Sequence, residues 1–294
     1  MKSKMDINED EIRVIGSTTS RPRKLWWLWC LIAAAMVAVV VLIVVLLSEG
    51  KETSISPMPL EITPDQPAVV QPEDIWLTNT EDELPSSVVK TDTTIDTISL
   101  TILTPINACP ELYVGHLDEN DTNILLATMA ADIRRDNGKI VGAFVCAGEP
   151  LSWGLSKLGY CAIFDEKIAI GIAENSPLFE QATECGGYFF RQYPSVKGGV
   201  AVANNPENSA MRRALCKIGS SYCVVTTTQR VLMNDFSVAL AKLGVDEAIF
   251  LVGGNAHGWW YDNEGKKHHF SQENSLNKRS KFMNYILFRK SYSD

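Results

Sequence analysis

A glycine-bearing turn near the C-terminal end carries the residues best suited to chemistry. Gly253 and Gly254 directly follow the apolar run Ala248 to Val252, and Asn255 and His257 come next. Because glycine has no side chain, such a turn lets backbone N–H groups approach a ligand closely, and clustered N–H groups favour anions. His257 could act there as general acid or base. A tight turn without a ligand is the alternative, and the sequence leaves both open.

A strand, a helix and a second strand lead to this turn. Tyr222 to Thr228 is rich in valine and threonine, which favour extended chain. A helix should follow, with Asn234 as its N-terminal cap and Gly244 as its left-handed C-terminal residue. Its apolar positions recur at helical spacing: Leu232, Phe236, Ala239, Leu240 and Leu243. Ala248 to Val252 is wholly apolar, which predicts a strand buried on both faces.

This order of elements resembles the C-terminal half of the phosphodiester glycosidase family, whose animal member removes N-acetylglucosamine to uncover the mannose-6-phosphate tag. In that family the buried strand runs into Leu-Asp-Gly-Gly-Gly-Ser. Here the stretch Leu251 to Ala256 reads LVGGNA. The two central glycines match, but Val252 stands in place of the aspartate and Ala256 in place of the serine. The turn has therefore lost one carboxylate and one hydroxyl.

Two further stretches carry the resemblance. Arg212 to Cys216 (RRALC) is similar to the family's Arg-Thr-Ala-Ile-Gly, and Arg212 falls on its arginine. A guanidinium binds phosphate bidentately, so Arg212 beside the glycines would clamp an anion; a surface pair of basic residues is the alternative. At the family's Asn-Gly-Gly turn this chain has Ala147-Gly148-Glu149, without the asparagine. Glu149 is the nearest carboxylate, and it is either catalytic or simply facing water.

The resemblance covers about Ile95 to Tyr261 and implies an α+β domain with a mixed β-sheet and flanking helices. It also implies a hydrolase that cuts a sugar from a phosphodiester, with water attacking the anomeric carbon. The implied site residues are Arg212, Gly253, Gly254 and Asn255 for the phosphate, and Glu149 and His257 for proton transfer. The alternative is a catalytically silent glycan- or protein-binding envelope protein of the same fold.

We expect no cofactor and no metal. His268 and His269 are adjacent, so on a strand they point to opposite faces and cannot easily chelate one ion. The formal net charge is −8, which gives no indication of nucleic-acid binding. The expected partners are therefore a membrane and a carbohydrate or sugar phosphodiester.

The first 91 residues predict a membrane tether. Residues 1–24 are polar and end in a basic cluster, and Leu25 to Leu47 then carries no charge over 23 residues. As a helix this run would rise about 34 Å, enough to cross a bilayer, and the basic flank predicts a cytoplasmic N-terminus. A cleavable signal peptide is the alternative, but the apolar run is longer than is typical. The C-terminal domain would be periplasmic or extracellular.

A proline-rich stalk, residues 48–91, should separate this span from the globular domain, residues 92–294. Its Ile75-Trp76-Leu77 triplet could dock back on the domain. Within the domain, Thr122 to Asp136 has the apolar spacing of a helix. Tyr160 to Ile172 predicts a β-hairpin that turns at Asp165-Glu166.

Six cysteines lie outside the predicted span: Cys109, Cys146, Cys161, Cys185, Cys216 and Cys223. An even number in an oxidising compartment permits three disulfides, although fifteen pairings are possible. Cys216 with Cys223 is the pair we expect first, because the turn between them could bring two neighbouring strands together. Buried free thiols are the alternative.

Overall fold

Antiparallel strands form most of the part of the chain that the structure describes. This computed structural model describes residues 76–81, 84–204, 208–270 and 283–291, all within the unit Ala68–Asp294. Of these residues, 49% lie in strands and 9% in helices. Every strand pairing among them is antiparallel. The predicted α+β class with a mixed sheet is therefore wrong, and the domain is mostly β.

The strands follow in chain order: β1 (Ser87–Ile95), β2 (Ile98–Ile106), β3 (Ala108–Val114), β4 (Ile124–Met129), β5 (Phe144–Cys146), β6 (Glu149–Ser152), β7 (Gly159–Phe164), β8 (Lys167–Ile172), β9 (Tyr188–Gln192), β10 (Pro194–Lys197), β11 (Val200–Ala201), β12 (Arg213–Ile218), β13 (Ser221–Thr227), β14 (Glu247–Leu251), β15 (Gly258–Tyr261), β16 (Lys267–His269) and β17 (Asn284–Lys290). The described helices are α1 (Leu178–Glu184) and α2 (Met233–Lys242). Three sheets result, with the orders β1-β2-β13-β12-β14-β10-β11, β16-β15-β4-β17-β3 and β6-β5-β9-β7-β8.

The seven-stranded sheet contains the predicted strand, helix and strand as β13, α2 and β14. Phe236 and Leu240 of α2 are fully buried and pack in one cluster with Phe250 of β14. Gly244 has φ 92 just after the helix, as predicted for its C-terminal end. The predicted cap at Asn234 is wrong, because the helix begins after Leu232 without a side-chain cap.

The central strand of the second sheet has a sequence pattern that predicts a helix instead. Thr122 to Asp136 was predicted as a helix, but Ile124–Met129 forms β4, between β15 and β17. All six of its residues are buried. Leu126 packs in one apolar cluster and Ala127 in another, so both faces of the strand are covered. With both faces apolar, the alternation that identifies a strand is absent.

The third sheet contains the predicted hairpin, β7 and β8, which turns at Asp165 and Glu166 with φ 43 and 63. The predicted docking of the Ile75-Trp76-Leu77 triplet on the domain is confirmed for Trp76 and Leu77. The Trp76 ring meets the Phe164 ring edge-on at 5.2 Å. Leu77 exchanges backbone hydrogen bonds of 2.8 and 3.0 Å with Ile168 of β8.

Cys216 and Cys223 lie directly opposite each other on β12 and β13. Both thiols are free, so the predicted disulfide between them is wrong. Burial raises the pKa of the Cys216 thiol well above its usual value. A buried protonated thiol is a poor nucleophile, and the pair therefore contributes to the apolar core.

Among the described residues, no helix has the length and apolar character needed to cross a bilayer. The predicted span, Leu25 to Leu47, lies outside those residues, as does most of the predicted stalk. The membrane anchor therefore stays a prediction.

Candidate functional site

His257 lies at the centre of a hydrogen-bonded group just after the glycine turn. Its Nε2 is 2.7 Å from Oε1 of Glu119, and its Nδ1 is 3.0 Å from the hydroxyl of Tyr285. The imidazole side chain is 11% exposed and that of Glu119 is 31% exposed. The rings of Trp259 and Tyr285 meet it edge-on. Two protein groups and two aromatic rings thus fix the imidazole in one orientation.

The Tyr285 hydroxyl is the hydrogen-bond partner of Nδ1 of His257. Burial, and then the nearby Glu119 carboxylate, raise the pKa of the Tyr285 hydroxyl, so it stays protonated. Its O–H can donate to Nδ1, which leaves the imidazole proton on Nε2 for donation to Glu119. A carboxylate held in this way by an imidazole N–H can accept a proton from water and act as a general base.

Glu119 connects this group to solvent. With His116, Leu117, Asp118 and Asn120 it lines a cavity of about 510 Å³. Lys267 lies beside it, since its ammonium group donates to the backbone carbonyl oxygen of Glu119. That ammonium nitrogen is also 5.6 Å from the ring centre of Trp259 and 5.6 Å from that of Tyr261. The cavity therefore presents a carboxylate with a cation next to it.

The glycine turn packs tightly on Met211 and Arg212, which directly precede β12. A Cβ atom added at Gly253 would lie 2.4 Å from the carbonyl oxygen of Met211 and 3.4 Å from Cα of Arg212. The N–H of Gly254 donates to that same Met211 oxygen at 2.8 Å, and the N–H of Ala256 donates to the oxygen of Gly253 at 3.1 Å. Two N–H groups of the turn are therefore committed to backbone acceptors.

Arg212 is next to the turn, but its guanidinium group points elsewhere. Nε donates to the carbonyl of Val231 at 3.3 Å, and Nη2 donates to the carbonyl of Asn208. The structure thus places the Arg212 backbone against Gly253, whereas the Arg212 side chain donates hydrogen bonds to two backbone carbonyl groups. Its role as an anion clamp stays a prediction, as do those of Gly253, Gly254 and Asn255.

The neighbouring Arg213 is the buried arginine. It is 2% exposed, and Nη1 donates to the Thr128 hydroxyl at 2.6 Å and to the Val252 carbonyl at 3.2 Å. Its guanidinium carbon lies 3.7 Å from the ring centre of Phe270, while Nε is buried without a hydrogen-bond partner. Burial lowers the pKa of Arg213 to about 9, so it remains charged at neutral pH.

Glu149 lies apart from this corner. It is the exposed first residue of β6, at the edge of the five-stranded sheet that contains the β7–β8 hairpin. Its partner in the strand register is Cys146. The described contacts bring His257 together with Glu119 and Tyr285, and they do not include Glu149. Its catalytic role remains a prediction.

Glu119 and Tyr285 are the site residues that sequence reasoning missed. Glu119 follows Asp118 in a polar loop between β3 and β4, a setting that reads as an ordinary surface turn. Tyr285 belongs to β17, and its pairing with Met129 of β4 brings it to the site. Among the described residues, no group of histidine, cysteine and acidic side chains is suited to hold a metal ion.

Comparison with known proteins gives similarity of fold alone. No model of a protein family matches the chain. No curated protein matches it either. The zebrafish N-acetylglucosamine-1-phosphodiester alpha-N-acetylglucosaminidase catalytic domain, auto-inhibited by its pro-peptide, is 14% identical, with a TM-score of 0.49 over 72% of this chain and 86% of that chain. A hypothetical protein from Synechocystis is 12% identical, with a TM-score of 0.49 over 71% of this chain and 64% of that one. These are distant structural relationships.

Proposed function

We propose that this domain hydrolyses a sugar phosphodiester, with the paired Glu119 and His257 side chains as its proton-transfer group. The observation that carries the proposal is the 2.7 Å contact between His257 Nε2 and Glu119 Oε1, with Glu119 lining a cavity of about 510 Å³. In this proposal Glu119, which contacts His257, takes the role that the sequence predicts for Glu149. The match of Gly253 and Gly254 to the family's turn supports the substrate class.

In this reaction a general base is more important than a general acid. In the proposed reaction, Glu119 takes a proton from water as the water oxygen forms a bond to the anomeric carbon. The bond between that carbon and the phosphate oxygen breaks, and the electron pair leaves with the phosphate monoester. Phosphate is a stable anion, so its departure does not require full protonation of the leaving oxygen. His257 orients the Glu119 carboxylate for this step through the hydrogen bond at Oε1.

Charge at the cavity limits which substrates fit. Asp118 and Glu119 both line it, so an anionic phosphodiester needs a neighbouring cation. Lys267 is already in contact with the Glu119 backbone and can supply it. In the proposed mode of binding, the phosphate faces the Lys267 ammonium group, whose nitrogen lies 5.6 Å from the ring centres of Trp259 and Tyr261.

The predicted membrane tether belongs to the same proposal. A cytoplasmic tail, a single span at Leu25 to Leu47 and a stalk would hold the domain outside the cytoplasm. Its substrate would then be a glycan of the cell envelope or of the extracellular space. Protease protection of the domain in sealed membrane vesicles tests this orientation: digestion from the cytoplasmic face would contradict it.

Turnover is tested directly with the full-length chain. The substrates are the methyl phosphodiesters of N-acetylglucosamine, glucose and mannose 1-phosphate, and the readout is the released reducing sugar. We expect release by the wild type and at least a 100-fold loss in the His257→Gln variant. The matched control is His269→Gln, which changes an exposed histidine that does not line the cavity and should retain activity. Absence of release from every substrate would reject the proposal.

A binding protein without hydrolysis is the second candidate function. It is favoured by the hydrogen bond that the Gly254 N–H already donates to Met211, by the hydrogen bonds of the Arg212 guanidinium to backbone carbonyls, and by the position of Glu149 on the edge strand of a different sheet. In that case the same phosphodiesters would bind and remain intact. Titration calorimetry beside the release assay distinguishes the two functions.

A further inference from the structure

A second cavity lies between the β6–β7 loop and the start of α1, and it shares no lining residue with the cavity at Glu119. Its volume is about 530 Å³, within the range of small-ligand sites. Its lining combines apolar and polar side chains, among them Trp153, Leu155, Phe179, Asn175, Ser176 and Glu180. Trp153 and Leu155 are each 71% exposed. A large exposed aromatic side chain beside a cavity typically marks a binding surface.

A buried arginine fixes the two walls of this cavity relative to each other. Arg191 is 2% exposed. Its Nη1 donates to the carbonyls of Lys157 at 3.2 Å and Ala173 at 3.0 Å, and its Nη2 donates to that of Glu174 at 2.8 Å. Lys157 belongs to the loop that carries Trp153, while Ala173 and Glu174 lead into α1. The arginine therefore ties the aromatic wall to the polar wall.

The loop itself is anchored at Gly154, between the exposed Trp153 and Leu155, and again at Lys157. The carbonyl of Gly154 accepts a hydrogen bond of 2.9 Å from the N–H of Ala143. The Lys157 side chain is 4% exposed and forms an ion pair with Asp132. Trp153 is thus held in solvent by a fixed backbone. A loop backbone held in this way loses little conformational entropy when a ligand covers Trp153.

The charges of the lining select the class of ligand. Arg191 and Glu180 are the charged residues of the described lining. The Arg191 guanidinium already donates to three carbonyls, whereas Glu180 is exposed and can accept hydrogen bonds. A matching ligand has hydroxyl donors for Glu180 and Asn175 and an apolar face for the indole ring. With one cation and one carboxylate, the described lining has no net charge, which favours a neutral ligand over an ionic one.

We propose that this cavity binds a neutral saccharide, with one sugar ring stacked on Trp153 and hydroxyl groups hydrogen-bonded to Glu180 and Asn175. The site is separate from the proposed hydrolytic corner and does not depend on it. Arg191 acts as a positioning residue, because it holds the walls and leaves sugar recognition to the residues that line them.

The test uses the full-length chain in a detergent whose head group carries no sugar. The probes are neutral disaccharides of glucose, mannose, galactose and N-acetylglucosamine, and binding is measured by ligand-observed NMR and titration calorimetry. We expect at least one disaccharide to bind with a dissociation constant of about 1 mM or less. Trp153→Ala should weaken that binding about tenfold or more, and Glu180→Gln about fivefold.

Matched controls separate recognition from folding. Val200→Ala removes an apolar side chain of 68% exposure that does not line the cavity. Glu184→Gln removes an exposed carboxylate of the same helix outside the lining. Both should bind like the wild type, and all variants should show the same thermal unfolding. Absence of disaccharide binding, or equal binding by the Trp153→Ala variant, would overturn the proposal. His257→Gln should leave this binding unchanged, so a failure of the hydrolysis proposal is recorded separately.

Discussion

Two adjacent glycines of the corner should respond very differently to the same substitution. At Gly253 an added Cβ would lie 2.4 Å from the Met211 carbonyl oxygen, whereas ordinary contacts begin at 3.4 Å. At Gly254 nothing lies within 4 Å, but φ is +61. Gly253→Ala therefore creates a steric clash, and Gly254→Ala creates backbone strain without a clash.

The magnitudes follow from these geometries. For Gly253→Ala the Met211 carbonyl must retreat by about 1 Å, which breaks its 2.8 Å hydrogen bond from the Gly254 N–H. Overpacking and one lost hydrogen bond together cost about 3 kcal/mol of the free energy of unfolding. A left-handed alanine at Gly254 costs about 1 kcal/mol.

Thermal unfolding followed by circular dichroism measures the difference. For a domain of this size, the two costs correspond to Tm decreases of about 9 °C for Gly253→Ala and about 3 °C for Gly254→Ala. Because Gly253 lies against Arg212, the Gly253→Ala substitution should also reduce any activity of the corner. An equal or smaller decrease for Gly253→Ala would show that the turn does not pack on Met211 as described.

Two further predictions concern ionisable groups. The hydrogen bond from Arg289, and then the one from the Asn123 backbone, lower the pKa of Asp121. The lowered pKa stabilises the folded protein above the unfolded-state pKa of Asp121, and this stabilisation is lost as the pH falls through the folded-state pKa. The stability difference between wild type and Arg289→Gln, measured by urea unfolding, should therefore shrink below about pH 4. A difference that grows with acidity would contradict this. Iodoacetamide should alkylate the exposed Cys185 in the native protein and the buried Cys216 and Cys223 after unfolding. Rapid native labelling of either buried thiol would contradict the described core.

Local sequence patterns predicted those elements whose burial is one-sided or whose ends are marked by special residues. The helix α2 has one apolar face and the left-handed Gly244 at its end. The β7–β8 hairpin turns at two polar residues, Asp165 and Glu166. In such elements the period of apolar residues and the local turn chemistry agree.

The sequence did not predict the β4 strand or the overall class, because both depend on contacts between distant segments. The six residues of β4 include leucine, alanine and methionine, which favour helices in isolation. The flanking strands β15 and β17 come much later in the chain and determine its conformation. Tertiary contacts therefore override intrinsic propensity here.

The candidate site was predicted in part, since His257 was identified and its partners were not. Glu119 is separated from His257 by 138 positions, and Tyr285 is separated from it by 28. No local spacing links residues that far apart, and only the assembled sheet brings them into contact. Arg213 illustrates the same limit, because its burial against Thr128 and Phe270 depends on two elements distant in sequence.

The kinetics of single and double variants of Glu119 and His257 test the central claim most directly. If the two side chains act as one proton-transfer group, Glu119→Gln and His257→Gln should each lower kcat/KM for sugar release about 1000-fold. The double variant should then be no slower than either single variant, because removing one member already disables the pair. Independent losses that multiply in the double variant, or wild-type rates in either single variant, would contradict the account.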